Sequence, residues 1–326
     1  MIVDFQHHFT PRELITQDPG DGMILAYDET GSPSYSNHRL LFDLDEHIRM
    51  MDEAGIDVTM LTSAAAMCAD LDRSRLVNDK AKQAERDYPG RFVGCAHAHP
   101  LGGAEAFKEL ARCKHELGYD GVVITSEMEG KFLDAPELDP FWAECAKLGL
   151  FVFVHPALKL TYPQQFDAYD MARSVGREYS LSMSVIRLIN SGVFDRHPNL
   201  TVHMSHLGGG ISSIIGRIRS YQDKDFWGTR GNARHGMLPK RPFDDYIRGN
   251  IIFDTAGFCG AIGAVKSALL EIPAGRIVFA TDYPQEIRAR SAVREFVQDI
   301  RALGADGAAI LEGNVTKLLP KLAHKR

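Results

Sequence analysis

Short apolar runs alternate along the chain with longer segments whose apolar residues have helical spacing. The short runs have the length of strands, and several are apolar without interruption, which is typical of strands covered on both faces in a parallel sheet. The predicted strands are Ile2–Phe5, Val58–Leu61, Arg91–Ala96, Gly121–Thr125, Leu150–Val154, Leu200–Met204, Asn250–Asp254 and Arg276–Ala280.

Most of these runs are followed by a segment whose apolar residues recur every three or four positions, as in an amphipathic helix. The first such segment has Leu44, Ile48 and Met51 at this spacing and ends before Gly55. The predicted helices are Asp43–Ala54, Asp72–Arg86, Ala104–Leu117, Asp139–Leu148, Met171–Ser191, Ile211–Tyr221, Ala261–Leu270 and Ser291–Leu303.

Eight strands alternating with helices predict a (β/α)8 barrel that forms one domain over residues 1–326. Long loops are expected at about 14–41 and 222–248, with a helical tail over Asp306–Leu319. The alternative is an open, doubly wound sheet. Its dinucleotide-binding version is disfavoured because no Gly-x-Gly-x-x-Gly follows a predicted strand.

The composition narrows the partners and the compartment. The chain is 44% hydrophobic and 25% charged, an ordinary globular balance. Its formal charge of −6 and the lack of a long basic run argue against nucleic acid as a partner. No signal peptide is expected, because the first residues lack a basic segment followed by an apolar one. No membrane span is expected, because no apolar run reaches about 18 residues. The five cysteines are widely spaced without a Cys-x-x-Cys, so we expect reduced thiols and a cytoplasmic protein.

Residues suited to metal binding or proton transfer follow six of the eight predicted strands. The catalytic residues of such barrels lie at the carboxyl ends of strands, so these side chains are expected to meet at one mouth. The clusters are Gln6-x-His8, His97-x-His99, His155-Pro156, His203-x-Ser205-His206, Asp254-Thr255 and Thr281-Asp282-Tyr283-Pro284.

The first strand carries the densest of these clusters. Side chains alternate across a strand, so Asp4, Gln6 and His8 are expected on one face, with Phe5 and His7 on the other. Polar groups two residues apart at a strand end can bind one ion from the same side. The alternative is a buried strand followed by a polar turn.

The individual histidines suggest different roles. His8 and His155 are predicted metal ligands, and the alternative for both is a structural histidine that bonds main-chain carbonyls. Asp282 is expected in the site, the alternative being the start of a turn. His206 precedes three glycines, which let backbone and substrate approach closely, so it is predicted to act as a general acid or base. His203 is expected in the core.

Other histidines are less informative from sequence. His97 and His99 could line the site or be structural. His38 and His47 are expected on the surface.

Taken together, the clusters at Asp4–His8, His155-Pro156, His206–Gly210 and Thr281–Pro284 resemble the amidohydrolase-2 branch of the amidohydrolase superfamily. That branch includes the aminocarboxymuconate-semialdehyde decarboxylase family and related aromatic acid decarboxylases. The similarity extends over nearly the whole chain. It implies a distorted TIM barrel with one divalent ion, usually zinc, at the mouth.

The resemblance also implies roles for particular residues. The matching metal ligands are Gln6, His8, His155 and Asp282, and His206 matches the catalytic histidine; Asp282 is implied to move protons as well. Arg217 matches an arginine that binds a substrate carboxylate across a homodimer interface. Arg39 matches loosely a second carboxylate-binding arginine, the alternative being a solvated loop charge.

Gln6 departs from the family pattern, which has a histidine there. A glutamine oxygen is a neutral, harder and weaker donor than an imidazole nitrogen. Zinc is expected, with manganese as the alternative. A protein that binds no metal is a further alternative.

The resemblance therefore predicts a metal-dependent lyase that decarboxylates a small aromatic or unsaturated carboxylic acid without an oxidant. A metal at such a site stabilises the charge left when CO2 departs. The first alternative is a metal-dependent hydrolase or hydratase that uses activated water. The second is a non-catalytic binding protein that lost its metal because of Gln6.

Overall fold

Parallel strands separated by helices make up most of the chain. The computed structural model describes residues 1–27, 31, 33–232, 235–236 and 239–324. The strands are β1 (Val3–His8), β2 (Met23–Tyr27), β3 (Pro33–His38), β4 (Val58–Thr62), β5 (Phe92–Gly94), β6 (Ala96–His97), β7 (Gly121–Thr125), β8 (Glu127–Met128), β9 (Lys131–Phe132), β10 (Phe151–His155), β11 (Val202–Met204), β12 (Ile251–Asp254) and β13 (Ile277–Val278).

Two parallel sheets contain the strands predicted from the apolar runs. One has the order β1-β4-β5, and the other has the order β6-β7-β10-β11-β12-β13. Only Cys95 separates β5 from β6, and its amide donates to Leu61 O at 3.3 Å. The two short strands therefore act as one, which joins the sheets.

Hydrogen bonds also link β1 to the segment that follows β13. The Phe5 amide donates to Phe279 O at 3.0 Å, and the Asp282 amide donates to Gln6 O at 2.9 Å. The His8 amide donates to Tyr283 O at 2.7 Å. Each strand of the two parallel sheets thus has a neighbour on both sides, and the predicted (β/α)8 barrel is confirmed.

Helices cover the outside of this barrel. Two of them begin at aspartates whose side chains accept from the third amide that follows, Asp43 from Glu46 and Asp70 from Arg73. None of the helices in the described part of the chain combines the length and apolar character that crossing a bilayer needs. The helices are Leu44–Ala54, Leu71–Asp87, Gly103–Arg112, Asp139–Leu148, Arg177–Asn190, Val193–Arg196, Ile215–Tyr221, Phe243–Gly249, Ile262–Leu269, Arg290–Arg301 and Ala305–Ala308.

The buried apolar residues form two clusters, one inside the barrel and one between strands and helices. Along β10, Phe151 and Phe153 belong to the smaller cluster with Val3 and Phe5, while Val152 and Val154 belong to the larger one. This alternation places successive side chains on opposite faces of the sheet. It explains why the strand is apolar at every position.

The two predicted loops are partly ordered into regular structure. The segment 14–41 contains the antiparallel hairpin β2–β3. Its Gly, Pro and Ser content looked like a loop, but alternating exposure along Pro33–His38 suits an edge hairpin. The segment 222–248 runs into the helix Phe243–Gly249, and Arg234 within it lies outside the described residues. The tail consists of short helical turns, the last being Pro320–His324.

The alternation predicted for the first strand is wrong at Asp4. The pairing of β1 with β4 slips by one residue between Asp4 and His7, which marks a β-bulge. Asp4 Oδ2 lies 3.1 Å from His7 Nδ1, so these two side chains share a side. The extra residue lets Phe5 pack inside the barrel while His8 also faces its mouth.

Candidate functional site

The carboxyl ends of the barrel strands surround a cavity of about 300 Å³. His8 ends β1, His155 ends β10, and His206 and Asp282 follow β11 and β13. All four line this cavity, and residues 34–36 of the β2–β3 hairpin border it as well. The structure thus brings together the residues that sequence reasoning placed at separate strand ends.

His8, His155 and Asp282 each present a donor atom within 4.8 Å of the other two. His155 Nδ1 donates to Pro156 O at 2.9 Å, which leaves its Nε2 without a proton. Burial and the neighbouring His8 ring hold the pKa of His155 well below its ordinary value. The ring is therefore neutral, as a metal ligand must be.

Three buried atoms at this point make no hydrogen bond to the described residues. They are Gln6 Oε1, His8 Nε2 and Asp282 Oδ1. His8 Nε2 and Asp282 Oδ1 lie only 2.8 Å apart, yet not in hydrogen-bonding geometry. Unpaired buried polar atoms are costly, and a shared cation would satisfy all three. Two imidazoles and a carboxylate therefore fit one divalent ion, and the unpaired amide oxygen of Gln6 is a candidate fourth donor.

The Gln6 side chain has two different neighbours. Its Oε1 is buried and makes no hydrogen bond to the described residues, while its Nε2 lies 3.0 Å from His206 Nε2. The glutamine therefore contacts the same ring nitrogen of His206 that faces Asp282. The sequence did not predict this second contact.

His206 is held in an unusual backbone conformation. Its φ of 53° is left-handed, and the main-chain amide donates to Asp254 Oδ1 at 2.9 Å. The glycines that follow keep left-handed values too, and a Cβ on Gly209 would lie 1.9 Å from Glu178 O. The glycines thus let the helix Arg177–Asn190 pack directly against this turn.

Glu178 is a functional candidate that sequence reasoning missed. Its Oε1 lies 2.8 Å from His206 Nδ1, and it is in the first turn of the helix Arg177–Asn190. Burial opposes a charge on His206, but Glu178 and Asp282 outweigh it and raise the pKa of His206 well above its ordinary value. No motif surrounds Glu178, so only the packing of its helix reveals it.

Asp282 lies between the candidate metal ligands and His206. Its Oδ2 is 3.6 Å from His206 Nε2. Burial alone would raise the pKa of Asp282, but the His8 and His206 rings outweigh it and hold that pKa well below its ordinary value. Burial and the Asp282 charge raise the pKa of nearby Glu286 to about 7. Asp282 is therefore ionised and lies close to both the candidate metal position and His206.

Three other histidines, at the ends of predicted strands, contact other groups. His203 is buried and its Nε2 lies 2.8 Å from Asp254 Oδ2, as expected of a core residue. His97 accepts from the Ser63 amide at 3.0 Å. His99 faces Glu129 at 3.2 Å on a separate cavity.

Two histidines expected on the surface are instead buried. His47 bonds to His7 Nε2 at 2.8 Å, and its other ring nitrogen contacts Leu40 O. His38 is only 5% exposed. His47 lies on the buried face of its helix, and His38 lies on an inward position of the β2–β3 hairpin, where the sequence predicts a loop.

The two predicted carboxylate-binding arginines do not border this cavity. Arg39 is exposed and pairs with Asp43 at 3.2 Å, which agrees with a solvated loop charge. Arg217 lies on another surface depression, where Nη2 donates to Tyr221 Oη at 3.3 Å. Arg217 therefore has no access to the cavity of its own chain, and its predicted role requires a partner subunit.

The chain is similar to known proteins over most of its length. A family model described as amidohydrolase matches residues 3–321. The chain is 32% identical over 268 residues to the gamma-resorcylate decarboxylase of Rhizobium sp. (strain MTP-10005), covering 76% of this chain and 79% of that protein. It is 33% identical over 184 residues to the 2-amino-3-carboxymuconate-6-semialdehyde decarboxylase of Dictyostelium discoideum, covering 54% and 51% of the two chains. The structure of a 2,6-dihydroxybenzoate decarboxylase complexed with 2,6-dihydroxybenzoate superposes with a TM-score of 0.78 at 27% identity, covering 98% and 99%.

Proposed function

Because the chain belongs to the amidohydrolase family, matched over residues 3–321, we propose that it is a metal-dependent lyase that decarboxylates a small aromatic carboxylic acid without an oxidant. The observation that carries this proposal is the convergence of His8, His155 and Asp282 around unpaired buried atoms. The similarity to two decarboxylases supports the same reaction class.

The chain's own residues would hold the cation and move a proton. His8, His155 and Asp282 would bind it, with Gln6 Oε1 as a weaker fourth donor. When bound there, a divalent ion supplies Lewis-acid stabilisation for the carboxylate and for charge that develops on the ring.

The reaction then needs one bond broken and one proton delivered. The bond between the ring carbon and the carboxylate breaks, CO2 leaves, and the electron pair stays on the ring carbon. That carbon takes a proton, for which His206 at the cavity wall is the candidate donor, while the ionised Asp282 would first have to accept a proton. Glu178 keeps the His206 ring oriented through its contact at Nδ1.

For the ion itself we propose zinc, with manganese as the alternative. Two imidazole nitrogens and a carboxylate suit zinc. The amide oxygen of Gln6 is a hard donor, which suits manganese as well as zinc. We also propose a cytoplasmic location, which the five free cysteines support.

Substitutions of Gln6 test its contribution to metal binding. Gln6→Ala should weaken zinc binding only slightly, because a neutral amide oxygen adds little to two imidazoles and a carboxylate. Gln6→His should tighten it by restoring a nitrogen donor. Activity need not rise, since the contact between Gln6 Nε2 and His206 is lost. Metal affinity from chelator competition, measured beside turnover, checks both expectations.

One outcome of that experiment would remove the metalloenzyme proposal. It is a natural protein that binds no divalent ion at micromolar concentrations while Gln6→His binds one. The alternative of a metal-free binding protein would then replace the metalloenzyme proposal.

We propose further that the chain forms a homodimer through the surface around Arg217. Ile214, Tyr221 and Trp227 are each about 40% exposed there, and they border an apolar depression with Arg217. Exposed apolar patches of this kind mark interaction sites. A symmetric contact would bring Arg217 of one subunit toward its partner.

The Arg217→Ala variant tests that arrangement. If Arg217 binds the substrate carboxylate in the partner's site, KM should rise about tenfold or more while kcat changes less, because ground-state binding is lost. Arg248→Ala, an exposed arginine away from the depression, is the control. A monomer in light scattering that turns over substrate normally would eliminate the shared site.

Product analysis tests the reaction class. The metal-loaded protein should release CO2 from an ortho-hydroxybenzoate, and chelation should stop the release. Incorporation of solvent oxygen without CO2 would instead identify the hydrolase or hydratase.

A further inference from the structure

Two arginines line the same cavity as the candidate metal ligands and have no carboxylate partner among the described residues. They are Arg177 and Arg288. A third arginine of the cavity wall, Arg173, pairs with Asp170 and is neutralised. The cavity therefore contains two cationic groups that the proposed chemistry does not use.

Arg177 is half-buried and donates only to uncharged groups in the described structure. Its Nη2 donates to Ser34 O at 2.6 Å and to Leu158 O at 3.2 Å. Burial and the nearby Arg173 charge lower the pKa of Arg177 to about 10, so the guanidinium stays charged at neutral pH. Asp170, Glu178 and Asp282 stabilise this charge at longer range, but none of the described residues makes a direct ion pair with it. A ligand anion would supply that contact.

Arg288 lies in the loop that also carries Asp282. Its Nε donates to Pro284 O at 3.2 Å, and its Nη2 lies 3.3 Å from Met23 Sδ and 3.4 Å from Gln285 O. The side chain is exposed at the cavity wall beneath the β2–β3 hairpin. Like Arg177, it is a cation bonded to neutral groups.

The candidate metal ligands and the two arginines can bind two different groups of one substrate. The carboxylate that is lost would be bound by the ion that His8, His155 and Asp282 would hold, so the arginines remain available for a second anionic group. A guanidinium matches the two oxygens of a carboxylate in one plane. The cavity of about 300 Å³ has room for one substituted ring and is at the small end of ligand sites.

We propose that the substrate is an aromatic dicarboxylic acid, one carboxylate of which is released while the other binds to Arg288 and Arg177 of the same chain. This inference rests on the proposed function of the site. It differs from the role of Arg217, because these arginines belong to the subunit that holds the candidate metal ligands.

A structural role for the arginines makes a different prediction. Both contact the β2–β3 hairpin, Arg177 through Ser34 O and Arg288 through Met23 Sδ. If they only hold the hairpin in place, replacing them should weaken the binding of monocarboxylates and dicarboxylates equally. If they recognise the second carboxylate, replacing them should weaken the binding of dicarboxylates selectively.

Equilibrium binding to the zinc-loaded protein separates these roles. The probes are salicylate and its derivatives with a second carboxylate, 4-hydroxyisophthalate and 2-hydroxyterephthalate, each measured by calorimetry. The better dicarboxylate should bind about 10- to 100-fold tighter than salicylate, the range expected of a charge-assisted contact. Arg288→Gln should remove most of that preference, and Arg288→Lys should keep part of it. Arg301→Gln, an exposed arginine outside the cavity, should change nothing.

Two results would overturn the proposal. One is an equal loss of affinity for salicylate and for the dicarboxylates in Arg288→Gln. The other is a preference that survives in Arg288→Gln but disappears in Arg217→Ala. A preference for dicarboxylates without any CO2 release would instead contradict the proposed reaction while supporting the second-carboxylate site. Release of CO2 from all three probes, bound with equal affinities, would support the proposed reaction and contradict the second-carboxylate site.

Discussion

Replacing His206 by Asn is expected to lower kcat by about 100- to 10,000-fold, the usual contribution of a general acid or base, while the metal content stays unchanged. The ring lines the cavity with its Nε2 3.6 Å from Asp282 Oδ2, so it is placed to give or take a proton beside the candidate metal position. Asn is the suitable replacement because it tolerates the left-handed backbone at this position, where φ is 53°. It cannot transfer a proton at neutral pH.

The matched comparison is Glu178→Gln. Glu178 acts on the His206 ring through its contact at Nδ1, so its loss should change the pH profile of kcat and cost less activity than the loss of the ring. Circular dichroism and metal analysis of both variants check that fold and ion are retained. A His206→Asn protein that keeps more than about a tenth of its activity would exclude the acid–base role.

Replacing His8 or His155 by Ala is expected to strip the ion and reduce turnover to the level of chelated protein. Each ring supplies one of the donor atoms that lie within 4.8 Å of one another, and the remaining carboxylate and amide are weak ligands alone. The measurement is metal stoichiometry after gel filtration, together with turnover before and after added zinc. Because an ion that binds only the folded chain stabilises it, the melting temperature of these variants should no longer respond to zinc.

His99→Ala is the control for this pair. His99 is a partly exposed histidine that faces Glu129 on a separate cavity. It should keep both the ion and the activity. One equivalent of tightly bound ion in either His8→Ala or His155→Ala would mean that the ligand set is wrong.

The barrel could be predicted because its signal is local. Each strand is a short apolar run, and in β10 both faces are buried in different clusters, which makes Phe151–Val154 apolar at every position. The helix predicted over Asp139–Leu148 has these bounds in the structure. Strand ends meet at one mouth in any such barrel, so the proximity of His8, His155, His206 and Asp282 followed from their places in the sequence.

The remaining features depend on packing between distant segments. The bulge in β1 reverses the face of Asp4 and is visible only from its pairing with β4. Glu178 and Arg177 reach the cavity because the helix Arg177–Asn190 packs against the glycine turn after His206. The hairpin over the cavity buries His38 although its sequence resembles a loop. None of these contacts leaves a periodic pattern in the chain.

The most direct test of the central claim follows the fate of a labelled carboxylate. The zinc-loaded protein is incubated in D2O with 4-hydroxyisophthalate carrying carbon-13 in the carboxylate next to the hydroxyl, and the products are read by NMR. Metal-dependent decarboxylation predicts one labelled CO2 for each 4-hydroxybenzoate formed, one deuterium at the carbon that lost the carboxylate, and neither product after chelation. A label that stays on the ring while solvent oxygen enters the molecule, or release of CO2 that is indifferent to the metal, would contradict it.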